Sequence, residues 1–475
     1  MAGMKGALTT GAYQARSVIA ANQRCVNLYA EQNPADSEFP VTHYPTPGLI
    51  RRGVAPLQGF RGLYTATNGE LFAVVSTALY RVMSDWSFVE MGRIDSVAGP
   101  VFMRDNSITM VIVDGTDDGY ELQLDNHSFS KIVDGAFYGS SRIALIDDFM
   151  LFNQPNTRQF YASGALVVQF DPLDIAAKNG APDKTVAVEV TNRTIWVFGE
   201  RTTEIWYNAG ASDFAFARYP GTFIEYGCMS AASIAAMDTS IYWLGAGDEG
   251  EGLVFRSDQM NALLISTPAL TEELRTYARL DDAIGYTHQA GGHMFYVLTF
   301  PTADKTWCYD LSTKQWHERL WMDDLGALHR HRGACFALWR GKQLVGDWQN
   351  GNLYEMTLDA FDDDGHERLH LRSWPNTGNE GDLITYDRLI VDMEVGQAGA
   401  NDPEPQVRLR WSDTRGKTWG TPLSRGLGAR GEFKRRAQFN ALGTDKGMGR
   451  VFEVSWSAKT KTALNGYYLK ASGEA

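Results

Sequence analysis

Residues 307–319 read WCYDLSTKQWHER: a short strand rich in aromatics, a polar turn, then a second short strand. Aromatic and β-branched residues suit a pleated surface, and the Ser-Thr-Lys turn between the two runs marks a tight reversal. The same unit recurs along the chain. It stands as LYRVMSDWSFVEM around Tyr80, YELQLDNHSFSKI from Tyr120, FYASGALVVQF from Phe160 and WYNAGASDFAFARY from Trp206. It returns as VFRSDQMNALLI around Phe255, in the quoted stretch around Tyr309, and as LYEMTL around Tyr354. Successive markers are 40, 40, 46, 49, 54 and 45 residues apart. That spacing is the period of WD40 and kelch-type blades, so the expected class is all-β, a β-propeller of six or seven blades spanning 56–365.

Composition agrees. The chain has 475 residues, of which 44% are hydrophobic, 21% charged and 12% aromatic, with 47 glycines. These proportions predict packed cores and Gly-rich turns. ISTPALTEELRTYARL interrupts the strands: Thr267 can cap, Pro268 suits the first helical position, and Glu272 and Glu273 are expected in the first turn, so a short helix is expected over 268–279. Residues 1–55 read as an arm, with RCVNLYAE as a candidate strand and YPTPGL as a stiff turn set by Pro45 and Pro47. Such an arm can complete the last blade and remove an exposed edge. DAFDDDGHE, 359–367, reads as a solvated linker, after which 366–475 loses the blade period and fits a β-sandwich or small barrel.

No signal-peptide core opens the chain and no run reaches the roughly 18 apolar residues of a membrane span, so a soluble chain made in the cytoplasm of its producing cell is expected. Cys25, Cys228, Cys308 and Cys335 form no CxxC pair and are expected as buried thiols. The motifs that suggest chemistry fail in context. GAGDEG, 245–250, matches GxGxxG, but a strand rather than a helix follows and two acids would repel phosphate, so a hairpin turn is expected. DAFDDDGHE lacks the acids an EF-hand needs at Ala360 and Leu371. His329 and His331 have no nearby third ligand; His293 and His317 suit core-edge or interface positions better than general bases. WSDTRGKTWG, 411–420, is nearly an Asp-box, with Thr414 where the aspartate would stand; that turn is a folding device rather than a catalytic group. Neither catalytic, cofactor nor metal residues are expected, and Trp206, Trp307 and Trp316 are expected to pack between blades.

The net charge of −13 is unevenly spread. Residues 366–475 carry 17 Lys and Arg against 13 Asp and Glu, which leaves −17 for 1–365. An acidic body argues against nonspecific duplex binding, though it does not exclude a wall past which DNA slides without sticking. Between Arg408 and Lys461 the balance is 13 basic to 4 acidic residues. Arg408, Arg410, Lys434, Arg435 and Arg436 are therefore either a solvated basic face or a docking surface for an acidic partner.

Several stretches together carry a resemblance: NQRCVNLYAEQNP, YPTPGL, FIEYGCMSAASIAAMDTSIYWLG, LISTPALTEEL, GGHMFYVLTFPTADKTWCYDLSTKQWHERLW and WSDTRGKTW. They resemble the packaged-DNA stabilisation proteins of short-tailed podovirus phages, the tail hub or nozzle family. The resemblance implies a structural virion protein, made in the host bacterial cytoplasm and assembled as a homo-hexamer. It implies a ring beneath the portal and its adaptor ring that retains the packaged double-stranded DNA, extends the ejection channel, and holds the tail needle and tailspikes. No membrane insertion, cofactor or catalytic residue is implied, and Thr414 is a local departure from the pattern. An acidic docking partner would then be the next subunit's propeller, the adaptor ring or a tailspike. Two other readings of the residues stay open: a carbohydrate-binding or sialidase-like propeller for host receptor recognition, and a kelch-type scaffold.

Overall fold

A computed structural model describes residues 4–17, 22–211, 214–247, 250–378 and 381–473. Among these, strands are joined by one α-helix, Pro268–Arg275, and one 3-10 turn, Ala231–Ser233. Six four-stranded antiparallel units follow one another at 60–93, 102–131, 143–177, 185–218, 235–264 and 284–318. A seventh uses three strands from 333–357 and takes its fourth from the arm, where Gly48–Val54 runs antiparallel to Asn352–Thr357. These are blades 1 to 7. The innermost strand of blade 7, Gly333–Trp339, lies against the innermost strand of blade 1, Phe60–Thr65, and the ring is closed.

All seven sequence markers occupy the same place. Tyr80, Tyr120, Phe160, Trp206, Phe255, Tyr309 and Tyr354 sit on the third strand of their blades and are buried. Five blades join their first two strands through two-residue turns with positive φ at both positions: Asp147-Asp148, Asn192-Arg193, Asp238-Thr239, Gly291-Gly292 and Arg340-Gly341. Turns of that hand match the right-handed strand twist and keep each hairpin flat against its neighbour. Apolar faces pack between adjacent blades, so Trp206 is buried with Phe160 between blades 3 and 4. Trp316 is buried between blades 5 and 6 and donates through Nε1 to Ile265 O at 2.8 Å. Trp307 is only half-buried at that seam, because its Nε1 reaches out to the Tyr277 hydroxyl.

The helix is shorter than 268–279. Thr267 Oγ1 caps it by accepting from Leu270 N, but it stops at Arg275, and neither Glu272 nor Glu273 lies in its first turn. GAGDEG joins two antiparallel strands, Ser240–Ala246 and Gly252–Asp258; its Asp248 and Glu249 lie outside the described residues.

Residues beyond the propeller form two facing sheets, but not from 366–475 alone. One has the order Ala437–Thr444, Ile384–Met393, Leu464–Gly473, Val41–Pro45, Leu28–Gln32, with Met4–Ala7 also paired to Leu464–Gly473. The other grows out of blade 6. Its outer strand Gln315–Glu318 meets Cys25–Val26 in parallel, and His370–Ser373, Val451–Trp456, Gln406–Ser412 and Leu423–Gly426 follow. Leu8, Cys25 and Leu28 of the arm share a core with Leu389, Val407, Phe439, Val454 and Trp456. The arm therefore closes the propeller with one strand and builds the sandwich with the rest. A continuous nine-stranded sheet welds the two lobes.

Candidate docking surface

The strand Gln406–Ser412 alternates: Val407 and Leu409 point into the sandwich core, while Arg408 and Arg410 point outward. Their fates differ. Arg408 is exposed opposite Ser424 and Ser455. Arg410 is committed internally: its Nε lies 2.5 Å from Glu453 Oε1 and its guanidinium stacks 4.8 Å from the Trp419 ring. A cation already bound to a buried carboxylate has less to offer a partner than the exposed Arg408. Burial raises the Glu453 carboxyl overall, although Arg410 and Arg24 pull the other way.

Lys434, Arg435 and Arg436 are exposed on the loop that carries the chain from one sheet to the other. Arg435 and Arg436 line a pocket of about 430 Å³ with Arg388, Asp392 and Tyr468, over a floor that includes Ile390 and Ala437. Asp392 accepts from Asn465, and the Tyr468 hydroxyl donates to Glu38. The side chains of Arg388, Arg435 and Arg436 make no hydrogen bond or ion pair among the described residues. Arginine guanidiniums suit carboxylates and other planar anions, and three of them share this lining with one carboxylate, Asp392. Arg388 had no sequence signal, because it comes from a strand that pairs only at long range.

A larger cavity, about 690 Å³, lies at the centre of the ring and is lined by loops of blades 1, 2, 3, 5, 6 and 7. Its cations are occupied. Arg61 donates to the carbonyls of Ser76, Ser96, Ala98 and Gly99, Arg279 pairs with Asp281, and Arg330 stacks 4.0 Å from Trp348. Deeper in, Arg142 and Arg104 meet the buried Glu189 at 2.6 and 3.5 Å across blades 2 to 4. Burial alone would raise the Glu189 carboxyl, and the two arginines hold it below its ordinary range.

The seam between lobes contains a polar network that sequence reading did not find. Asn27, at φ 55°, donates to Leu320 O and Leu369 O at 2.8 Å each and accepts from Leu320 N at 2.9 Å. Arg24 forks onto Glu318, two bonds of 2.8 Å. Arg368 donates to Thr46 and faces Asp363, which is buried, so 359–367 is not merely a solvated linker. Arg319 is buried with His288 Nε2 at 2.8 Å, and burial holds His43, His288, His331 and His370 well below the usual histidine range. Burial likewise lowers His317 to about 3. His329, by contrast, is raised, chiefly by its hydrogen bond to Asp304, so the LHRHRG pair does not converge on a common ligand. His293 pairs with Asp310 at 2.8 Å.

In the Asp-box-like turn Ser412 Oγ accepts from Thr414 N and Gly416 N, and Thr414 Oγ1 accepts from Thr418 N at 2.8 Å. The Thr414 hydroxyl thus closes the turn at the position where the Asp-box has its aspartate. Cys25, Cys228 and Cys308 are buried thiols and Cys335 is half-buried. Among the described residues, no group of three or more His, Cys, Asp or Glu side chains could hold a metal, and no helix is long and apolar enough to cross a membrane.

A closed seven-bladed ring carrying an intimately attached sandwich can now be set beside known proteins. A family model described as "Bacteriophage P22 Gp10, beta-propeller" matches residues 6–360. The chain belongs to this family. It is therefore a phage virion protein of the DNA-stabilisation class, and the matched span runs from the arm through blade 7. A search of curated proteins finds no match. Among solved structures, the chain is similar to the extracellular domain of the hybrid two-component system BT4673 from B. thetaiotaomicron, at 10% identity and a TM-score of 0.45. That match covers 78% of this chain and 44% of the other, so the chain spans less than half of that relative's length. A chain in the Mitotic Checkpoint Complex matches at 9% identity and a TM-score of 0.44, covering 68% of this chain and 95% of that one. The computationally designed Ika8 protein matches at 8% identity and a TM-score of 0.40, over 64% and 99%.

Proposed function

We propose that this Gp10-family chain is the tail hub, or nozzle, of a short-tailed phage. Six copies form a ring below the portal and adaptor, retain the packaged genome, extend the ejection channel, and anchor the tail needle and tailspikes. The protein is made in the host cytoplasm, and its work there and in the virion is structural rather than catalytic. The family match over 6–360 carries the reading. Three physical features support it. Closed blades present no free inner edge and resist deformation. The nine-stranded sheet makes sandwich and propeller move as one body. The acidic body, −17 over 1–365, repels DNA and lowers adhesion during ejection.

In this reading the duplex passes through a lumen enclosed by several subunits rather than along the axis of one propeller, where Arg104 and Arg142 pair with Glu189 between blades 2 and 4. The sandwich supplies the docking face through Arg408, Lys434, Arg435 and Arg436. Charges of this kind raise association rates and set orientation more than they add affinity. Recruitment to capsids that carry portal and adaptor tests the proposal. The intact chain is expected to join them and to prevent DNA loss. A chain with Lys434→Glu, Arg435→Glu and Arg436→Glu together is expected to fold normally but to join more slowly, most severely at low salt. Capsids that keep their DNA equally well without the chain would refute the hub role, and parental recruitment of the triple variant in low salt would reduce the basic loop to a solvated face.

A further inference from the structure

The Arg388–Arg435–Arg436 pocket is an uncommitted cationic site, and the loop beside it exposes a large apolar side chain, Phe433, at 68%. Its chemical opposite lies elsewhere on the same chain. The strand Phe170–Ala177 is the outer, unpaired edge of blade 3. It exposes Asp171 and, two residues on, Leu173 at 77%, with Asp174 half-buried beside them and Leu166 and Val167 exposed in the preceding turn. Among the described residues no cation pairs with either aspartate. Partial burial, followed by the charge of Asp171, raises the Asp174 carboxyl, as expected where like charges sit together without a counter-ion.

The two patches belong to different parts of the molecule, one on the sandwich and one on blade 3. The sandwich continues the sheet of blade 6, and the arm that builds it also closes blade 7. In a ring of seven, blade 3 lies three places from each of them. No single chain can bring the patches together, but a neighbour can. We propose that the Arg388–Arg435–Arg436 pocket of one chain receives the acidic edge strand Phe170–Ala177 of a second copy, with Leu173 covering Phe433. Because different surfaces meet, the contact is head-to-tail, the type that closes into a ring or runs on as a filament. An unpaired strand edge that carries charge is also shielded from indiscriminate sheet pairing, which leaves it free for one specific neighbour. The proposal deepens the hub reading and rests on it only for the ring's place in the virion. Exposed charges make such a contact weak and salt-sensitive, so it operates at high local concentration or on a template.

The full-length chain supplies the test. One preparation carries Leu173→Cys, another Phe433→Cys, and a bismaleimide links accessible thiols; the parent chain controls for the native cysteines, three of them buried and Cys335 half-buried. At low salt the mixture is expected to form covalent dimers at least about 10-fold faster than either variant alone, because only the mixed pair juxtaposes the two thiols in an oriented encounter. Adding Arg435→Glu and Arg436→Glu to the Phe433→Cys chain should remove the excess. Adding Asp171→Arg and Asp174→Arg to the Leu173→Cys chain should then restore it. A mixture that links no faster than its components, or an excess indifferent to charge reversal, overturns the contact. Failure here would leave the parent chain's recruitment to capsids intact, whereas failure of the hub reading would abolish recruitment and leave the linking result standing.

Discussion

Replacing Asn27 with alanine probes the seam between propeller and sandwich most directly. The residue is 1% exposed, and its side chain binds the chain leaving blade 6 at Leu320 and the chain entering the sandwich at Leu369. Alanine would leave the buried carbonyl and N–H of Leu320 and the carbonyl of the half-buried Leu369 without that partner. At the lower bound of about 1 kcal/mol for each unsatisfied group, the loss is about 3 kcal/mol. The backbone adds to this, because φ is 55° at Asn27 and an alanine there costs about 1 kcal/mol more than a residue that tolerates the left-handed region. The expected destabilisation is about 4 kcal/mol. Asn27→Gly separates the two contributions: it keeps the backbone geometry and should recover about 1 kcal/mol of the loss. Urea unfolding followed by tryptophan fluorescence measures both variants, and limited proteolysis shows whether cleavage begins near 320 and 369. An Asn27→Ala chain less than about 1 kcal/mol below the parent would refute the idea that this side chain holds the seam.

Acid should loosen the same region. His43, His288, His317, His331 and His370 are buried in the neutral form in the folded chain but take up protons near pH 6.5 once unfolded. Their contribution to stability is complete above pH 6.5 and falls as the pH drops toward their folded values; for His317, with a folded value of about 3, the loss at pH 5 is about 2 kcal/mol. Melting scans from pH 8 to 4 should show a steep decline below 6.5, and a flat profile to pH 4.5 would count against the buried neutral state. Trp316→Ala removes a large side chain and its bond to Ile265 at the seam of blades 5 and 6, and should cost about 3–5 kcal/mol; a melting point within a degree or two of the parent would be incompatible with that packing.

What could be read from the sequence and what could not divide along one physical line. Each blade's third strand announces itself locally, because a buried strand needs aromatic and β-branched residues and its flanking turns need Asn, Asp or Gly. Tyr80 through Tyr354 are therefore legible in the sequence alone. Thr267 and Pro268 likewise marked the helix start, since a cap is a contact between near neighbours. The helix ends at Arg275, four residues short of 279, because the chain beyond it turns away to pack Tyr277 and Leu280 against blades 5 and 6 rather than to continue its own hydrogen bonds. The basic stretch 408–461 was visible as composition, yet composition could not reveal that Arg410 is bound to Glu453 while Arg388 joins Arg435 and Arg436. Nothing local distinguishes Asn27 from any loop asparagine, Asp363 from a solvated acid, or Arg319 from a surface cation. Asn27 finds its partners at Leu320 and Leu369, Arg319 reaches the Pro47 carbonyl, and Asp363 bridges to Leu49. All are contacts with the distant arm that form only when Cys25–Val26 inserts between blade 6 and His370–Ser373. Sequence determined the repeating blade because its forces act over a few residues. The union of arm, propeller and sandwich was decided by tertiary structure, because burying a shared core and satisfying buried polar groups are properties of the whole chain.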